Sequence, residues 1–336
     1  MSTNVVWQTK SPVVLESFKQ KKITSIIKGG KVYSFQAAMA LAMKYNVIID
    51  ENAIKHDNQT ILKYFLKHRA NTPKADVTVK EIYPVVVGAV NKKSKNVALI
   101  HHIDQVHGGQ SFGHKVFFME LFRKLLKMDL VITVSEFWKD YLEKKGCKNV
   151  KVIYNSFIPE DYLIQKEAVA EFRKKYSIPD KPIVYIGNAH KQKGVYEAYH
   201  ALKDLDVELI MTGAENNASD LPIRFLSLNR EEYITLLHAS AIIVLMSKLM
   251  EGWNRVAHEA LLCNTPVVGS GMGGMGELLT KSKQIITTND AIKENVVAVL
   301  KNRNKYSNVG YDFVKQFDMN YFNSAWQQTI ENLIRR

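Results

Sequence analysis

SKLMEGWNRVAHEALLCNTPVVGSGMGGMGE, residues 247–277, places Glu251 and Glu259 in an E-x7-E spacing. Between them Asn254 is suited to cap a helix, because its side-chain oxygen can accept the free N–H groups of the first turn. The spacing predicts a helix to about Cys263, with Asn264 taking the left-handed conformation at the stop and Pro266 forbidding continuation. At 3.6 residues per turn Val256, Ala260 and Cys263 share an apolar face, His258 is expected to point away from it, and Glu259 lies on its flank. A half-buried carboxylate needs hydrogen-bond donors. The hydroxyls of a bound sugar or ribose would supply them.

The rest of the chain sets bounds on that site. Its 336 residues, 46% of them hydrophobic, are enough for two ordinary domains. No run of about 18 apolar residues occurs, and MSTNVVWQTK at the start lacks the apolar core of a signal peptide. A cytoplasmic protein, soluble or peripheral at the membrane, is expected. Cys147 and Cys263 have no C-x-x-C partner, which argues against a disulfide framework or a zinc site. The net charge is +13, and residues 1–160 hold 25 Lys and Arg against 13 Asp and Glu, so nearly all the excess lies in the first half. That half suits an anionic partner: phospholipid headgroups, a phosphorylated acceptor or nucleic acid. The alternative is a lysine-rich solvated face.

Along the first half, Thr24–Ile27 reads as a strand ending at Lys28-Gly29-Gly30, Ser34–Lys44 as a helix and Val47–Asp50 as a strand. The paired glycines either let backbone approach an anion at the helix start or form an ordinary turn. Thr60–Arg69 is a basic amphipathic helix, suited to a membrane interface or to packing on its own domain. Tyr83–Val90, Val97–His102 and Leu130–Ser135 are apolar runs of the length of buried parallel strands. Strands alternating with helices imply a doubly wound sheet, whose ligands gather beyond the carboxyl ends of the strands. His101, His102, Asp104 and His107 fall there, although an H-H-x-D string on a strand end alternates faces and makes a poor metal site. Phe112–Lys127 reads as an apolar helix packed on the core, and a helix from Ser135 to Gly146 leads to a strand at Val150–Tyr154. Residues 156–180 turn polar, as in a domain connection followed by a helix to about Tyr176.

The second half repeats the alternation, with strands at Ile183–Ile186, Val207–Thr212 and Ala241–Met246, and helices from Val195 and over Glu231–Ala239. Between the first strand and helix, Gly187 to Gly194 with Lys191 and Lys193 forms a candidate phosphate cradle, since N–H and ammonium groups converge there on one anion. Asp204-Leu205-Asp206 has a metal-binding spacing but precedes a strand, at the wrong end of a sheet. Gly271 to Gly276 matches G-x-G-x-x-G, yet too little chain follows for a dinucleotide-binding sheet.

These residues resemble the retaining, nucleotide-sugar-dependent glycosyltransferases of family 4, an α/β class with the GT-B fold of two facing Rossmann-like domains and an interdomain cleft. The resemblance rests on E-G-W…E-A, which follows Ser247 as S-x-x-x-E, on T-P-V-V and G-G-x-x-E within residues 247–277, on Gly187 to Gly194, Gly213, Val134-Ser135-Glu136 and Asn155, and on Gly29-Gly30. It implies an acceptor-side domain over 1–160, a nucleotide-sugar domain over 161–318 and a C-terminal helix over 319–336 that returns to the first. Glu259 would then bind the donor ribose, and Glu251 would sit beside the donor sugar. Trp253 and Asn254 would offer it backbone N–H groups. Lys193 would hold the diphosphate with Gly29 or Gly30, in a donor site that also takes in Gly187, Lys191 and Gly213. His102, or else His101, would face the sugar.

Two departures stand out: Asn188 where the family has Arg, and Asn254-Arg255 where it has Gly-Leu, so that Arg255 adds a cation. The implied activity is metal-independent hexosyl-type transfer, without a cofactor, from a nucleotide-diphosphate sugar to a sugar, lipid-linked or protein acceptor. An anionic membrane surface is a further partner of the basic half, whereas the absence of interleaved aromatic and glycine motifs argues against nucleic acid. The alternative is a catalytically inactive GT-B-derived protein that binds anions or nucleotides.

Overall fold

The computed structural model describes residues 3–23, 29–50, 74–103, 112–213, 217–218 and 220–336. The strand expected at Thr24–Ile27, Lys28, the amphipathic helix at Thr60–Arg69, Asp104 and His107 lie outside the described residues. The chain divides into two compact units, Met1–Ser156 with Met319–Arg336, and Phe157–Asp318.

The first unit is built on six strands: β1 (Asn4–Gln8), β2 (Asn46–Ile49), β3 (Val77–Glu81), β4 (Lys95–Ile100), β5 (Leu130–Thr133) and β6 (Val150–Val152). They are parallel and ordered β2-β1-β3-β4-β5-β6. Val5, Val6, Trp7, Val97 and Ile100 are fully buried, as strands covered on both faces require. The strand expected at Tyr83–Val90 is instead a helix over Ile82–Val87 that follows β3 directly. Pro84 decides the difference. β3 lies between β1 and β4, where proline would remove a ladder donor, but the third position of a helix tolerates it. The helix expected from Ser34 starts earlier and spans Gly30–Ala42, entered from Gly29 at φ 59°.

The C-terminal helix, Met319–Arg335, packs on that helix. Trp326 is fully buried, with its ring 5.7 Å from Trp7 and 6.2 Å from Tyr33, and Phe322 meets Tyr33 edge-on at 5.0 Å. Gln327 Nε2 donates to the Ala40 carbonyl at 2.9 Å. The helix Phe112–Leu125 corrects a second expectation. It buries Leu121 and Leu125, but Phe112 is 82% exposed, Met119 66%, and Val116 and Leu126 are exposed as well. At 100° per residue those four share its outer face, so the helix is apolar on both sides.

The second unit holds β7 (Ile183–Asn188), β8 (Glu208–Thr212), β9 (Arg224–Leu226), β10 (Ser240–Leu245), β11 (Val267–Gly269) and β12 (Ile285–Ile286). They too are parallel, in the order β12-β11-β10-β7-β8-β9. Val184, Ile186 and Val244 pack with Val195, Ala198 and Leu202 of one helix and with Ile292, Val296 and Val299 of another. The chain runs outward from β7 to β9 in one direction and from β10 to β12 in the other. The switch point therefore lies between β7 and β10.

If the C-terminal helix is part of the first unit's core, Trp326→Ala should lower stability by roughly 3–5 kcal/mol in urea unfolding. A loss below about 1 kcal/mol would show that the helix is only loosely attached.

Candidate functional site

In open parallel sheets the crevice at a switch point is left uncovered, because the two strands that flank it send their connections to opposite sides. In the second unit those connections are the loop 189–194 after β7 and the segment 246–254 after β10. They lock together. Lys248 N–H donates to the Gln192 carbonyl at 2.9 Å, and Gly194, at φ 73°, lies so close that an added Cβ would sit 2.0 Å from the Met246 carbonyl oxygen. Gly187, at φ 91°, lies against Leu245.

That closure brings together residues far apart in sequence. Lys193 Nζ lies 2.6 Å from Glu251 Oε1, and Ser247 Oγ donates to the same oxygen at 2.8 Å. Behind Glu251 runs the glycine-rich segment. Glu251 N–H donates to the Met272 carbonyl at 3.3 Å, and Gly274 N–H returns to the Glu251 carbonyl at 2.8 Å. A Cβ on Gly273 would sit 2.5 Å from that carbonyl oxygen. The glycines thus brace Glu251, which explains a dinucleotide-like spacing without a dinucleotide. Lys191 does not join the pair; its ammonium lies over the Tyr196 ring, 5.5 Å from the centroid. Asn188 Oδ1 accepts from Thr212 Oγ1 at 2.9 Å, beside Gly213 at φ 102°.

The helix after Glu251 spans Arg255–Leu262, and Asn254 Oδ1 accepts from Ala257 N–H at 3.0 Å, the expected cap. Asn254 itself has φ 62°, and Asn264 has the expected left-handed φ of 54°. His258 is fully buried, contrary to expectation: its Nδ1 accepts from the buried Trp253 Nε1 at 3.0 Å and its ring stacks on Phe157 with centroids 4.0 Å apart. The helix is buried from Ala257 to Leu262, so no outward face exists for His258. Burial, and then the neighbouring Arg255, hold its pKa well below the usual value and keep the ring neutral. Arg255 lies over Phe157, 4.2 Å from the ring centroid, and burial lowers its pKa as well.

Glu259 is 7% exposed, and the protein itself meets its need for donors. Tyr162 Oη and Arg230 donate to Oε1, each at 3.0 Å, and Tyr233 Oη donates to Oε2 at 3.2 Å. Burial, reinforced by the carboxylate, pushes both phenols upward, so they remain donors. Burial works against the Arg230 guanidinium, but Glu259 and Tyr162 outweigh it and hold it charged. Sequence reading missed all three partners. Tyr162 sits in the polar connection and Arg230 opens the helix Arg230–Ala239, with no local pattern that ties either to residue 259.

The remaining candidates belong to the first unit. A Cβ on Gly30 would lie 3.2 Å from His101 Cδ2, and His101 meets Tyr33 edge-on with centroids 4.9 Å apart, so Gly29, Gly30 and His101 gather beyond the carboxyl end of β4. His102 beside them is exposed. Asp206, at the opposite end of the second sheet, forms an exposed ion pair with Lys181. Among the described residues no three His, Cys, Asp or Glu side chains converge as a metal site.

Residues 169–313 match the family model described as Glycosyl transferases group 1. An uncharacterized glycosyltransferase of Methanocaldococcus jannaschii is 25% identical over 70% of this chain and 69% of its own length. The N-acetyl-alpha-D-glucosaminyl L-malate synthase of Bacillus anthracis is 23% identical over 49% of this chain, which spans about half of that relative. Among solved structures, sucrose-phosphate synthase from Thermosynechococcus elongatus superposes with a TM-score of 0.76 at 16% identity, over 99% of both chains. HepE of Anabaena, in complex with UDP-glucose, superposes with a TM-score of 0.72 at 17% identity, over 98% of this chain and 100% of that one. The fold is thus the one these glycosyltransferase structures share, and the group 1 match lies within the second unit, with Lys193, Glu251 and Glu259 inside the matched residues.

The interlock of the two loops sets a steric test. Gly194→Ala should cost about 2 kcal/mol or more, since it adds a left-handed conformation to a backbone clash. Gly113→Ala, on an open helix surface with nothing within 4 Å, should be neutral or stabilising. Equal unfolding midpoints for the two variants would show that the loops are not locked.

Proposed function

We propose that the protein is a retaining glycosyltransferase that moves a hexosyl group from a nucleotide-diphosphate sugar to an acceptor, without a metal ion. The observation that carries this reading is the pairing of Lys193 with Glu251 at the switch point, with Glu259 on the helix that follows. In the reaction the bond from the sugar carbon to the diphosphate oxygen breaks, and negative charge grows on the leaving oxygen. The Lys193 ammonium and the N–H groups that open the helix Val195–Leu202 stabilise that charge. The acceptor oxygen bonds to the sugar carbon from the face just vacated, and its proton passes to the leaving diphosphate. No carboxylate base is needed. Glu251, held by Lys193 and Ser247, sits beside the sugar, and Glu259 receives the ribose. HepE in complex with UDP-glucose supports a nucleotide-sugar donor.

A second reading, a GT-B-derived protein that binds anions or nucleotides without transfer, is favoured by Asn188, which leaves the diphosphate one arginine short and is tied to Thr212. Both readings meet one experiment, a panel of UDP-, GDP- and ADP-sugars followed by binding and nucleotide release. Glu259→Ala should weaken the donor about tenfold or more, and Lys193→Ala should lower kcat about 10²-fold. Unchanged turnover in both variants sinks the site assignment, and binding without any release supports the second reading.

The acceptor in this proposal is anionic or lipid-linked, and the enzyme works in the cytoplasm at an anionic membrane surface. Among the described residues no helix is long and apolar enough to cross a membrane. The outer face of Phe112–Leu125 supports peripheral attachment instead. Phe112, Val116, Met119 and Leu126 alternate there with Lys115, Arg123 and Lys127, all exposed, so apolar tips and cations reach the same plane. Vesicles rich in phosphatidylglycerol should co-sediment the protein in about 0.1 M salt, and Met119→Glu with Phe112→Glu should release it. Equal sedimentation of that variant, or none of the wild type, removes the membrane from the proposal.

A further inference from the structure

A carboxylate offers about four lone-pair positions, and three of those on Glu259 are taken within the protein. A ribose diol needs two. One occupant must therefore leave before the diol can bind in full, and the three occupants differ in how readily they can go. Tyr162 is buried, and Tyr233 sits on the helix Arg230–Ala239 with its ring packed against Tyr185 at 6.3 Å. The Tyr162 phenol, turned away, would lose its partner while still buried, and Tyr233 is held by its helix and its ring contact. Arg230 is different. Its side chain is 53% exposed, and its guanidinium lies 5.1 Å and 5.7 Å from the centroids of the Tyr162 and Tyr233 rings, on the solvent side of the buried carboxylate. Its backbone is fixed by a capping box in which Asn229 and Glu232 exchange hydrogen bonds. The side chain can thus swing into water while the helix that carries it stays in place.

We infer that Arg230 is a displaceable latch on Glu259: it fills the ribose position in the donor-free protein and is exchanged for the ribose diol when the donor binds. This rests on the reading of Glu259 as the ribose carboxylate. The latch keeps a buried carboxylate charge-paired while the site is empty, and it sets donor affinity by competition. Arg255, half-buried over Phe157, stays in place and supplies positive potential in both states. The arrangement separates two roles that one arginine could otherwise combine. A donor-contacting arginine strengthens binding, whereas a latch weakens it.

The sign of one substitution distinguishes them. Calorimetric titration with UDP, GDP and ADP would be run on the wild type, Arg230→Gln, Arg230→Lys and Glu259→Gln. The nucleotide that binds the wild type should bind Arg230→Gln roughly three- to tenfold tighter, with Arg230→Lys between the two. The gain should vanish for the 2′,3′-dideoxy form of the same nucleotide, which has no diol to exchange. Ligand-free Arg230→Gln should melt below the wild type, while the two nucleotide-bound proteins melt together. Weaker binding by Arg230→Gln, unchanged affinity, or an equal gain with the dideoxy nucleotide overturns the latch. If Arg230→Gln does not fold, the order of wild type and Arg230→Lys decides. If Glu259→Gln binds as the wild type does, the ribose assignment itself has failed and the latch falls with it. That outcome is read from a different variant and so stays distinct from a failure of the latch alone.

Discussion

The second unit depends on one constraint: β7 and β10 are neighbours in the sheet although more than fifty residues separate them in the chain. Neighbouring parallel strands whose connections depart to opposite sides leave an open crevice at their carboxyl ends. Both following segments must then turn within a few residues, and only backbone without a Cβ fits where they touch. Gly194 meets that demand, with positive φ and the Met246 carbonyl oxygen inside Cβ distance, and Gly273, after β11, meets a similar one against the Glu251 carbonyl oxygen. The ion pair of Lys193 with Glu251 is the chemical product of this closure.

Two carboxylates of one motif acquire different characters from their surroundings. Glu251 leans on a flexible ammonium and a serine hydroxyl, partners suited to rearrangement around a diphosphate and a sugar. Glu259 is enclosed by two phenols and a guanidinium, on a helix buried through its last two turns. Its geometry is set before any ligand arrives. Such preorganisation suits a binding anchor, and the mobile partner beside it is the one that faces water.

Much of this was legible in the sequence wherever local rules act. Asn254 as cap, Asn264 as left-handed stop, the alternation of strands and helices, and the glycine-bounded loop with Lys193 all follow from short-range geometry. What escaped needed tertiary knowledge. An apolar run around Pro84 has no period to separate strand from helix, and only the central place of β3 in the sheet settles it. His258 carried no mark of burial, because its partner Trp253 lies outside the helix whose periodicity was read. The apolar helix Phe112–Leu125 reads as core in the sequence, and only the structure shows which of its two apolar faces is buried, in part against the helix Ile82–Val87. Tyr162, Arg230 and Tyr233 converge on Glu259 from 97, 29 and 26 residues away, beyond any sequence window.

The central claim is that the crevice between β7 and β10 holds the donor nucleotide. The most direct measurement is a crystal structure of the protein soaked with the nucleoside diphosphate that binds it best. The account expects ribose hydroxyls within hydrogen-bond distance of Glu259 and phosphate oxygens at Lys193. A nucleotide seated elsewhere, with Glu259 still enclosed by Tyr162, Arg230 and Tyr233, would contradict it.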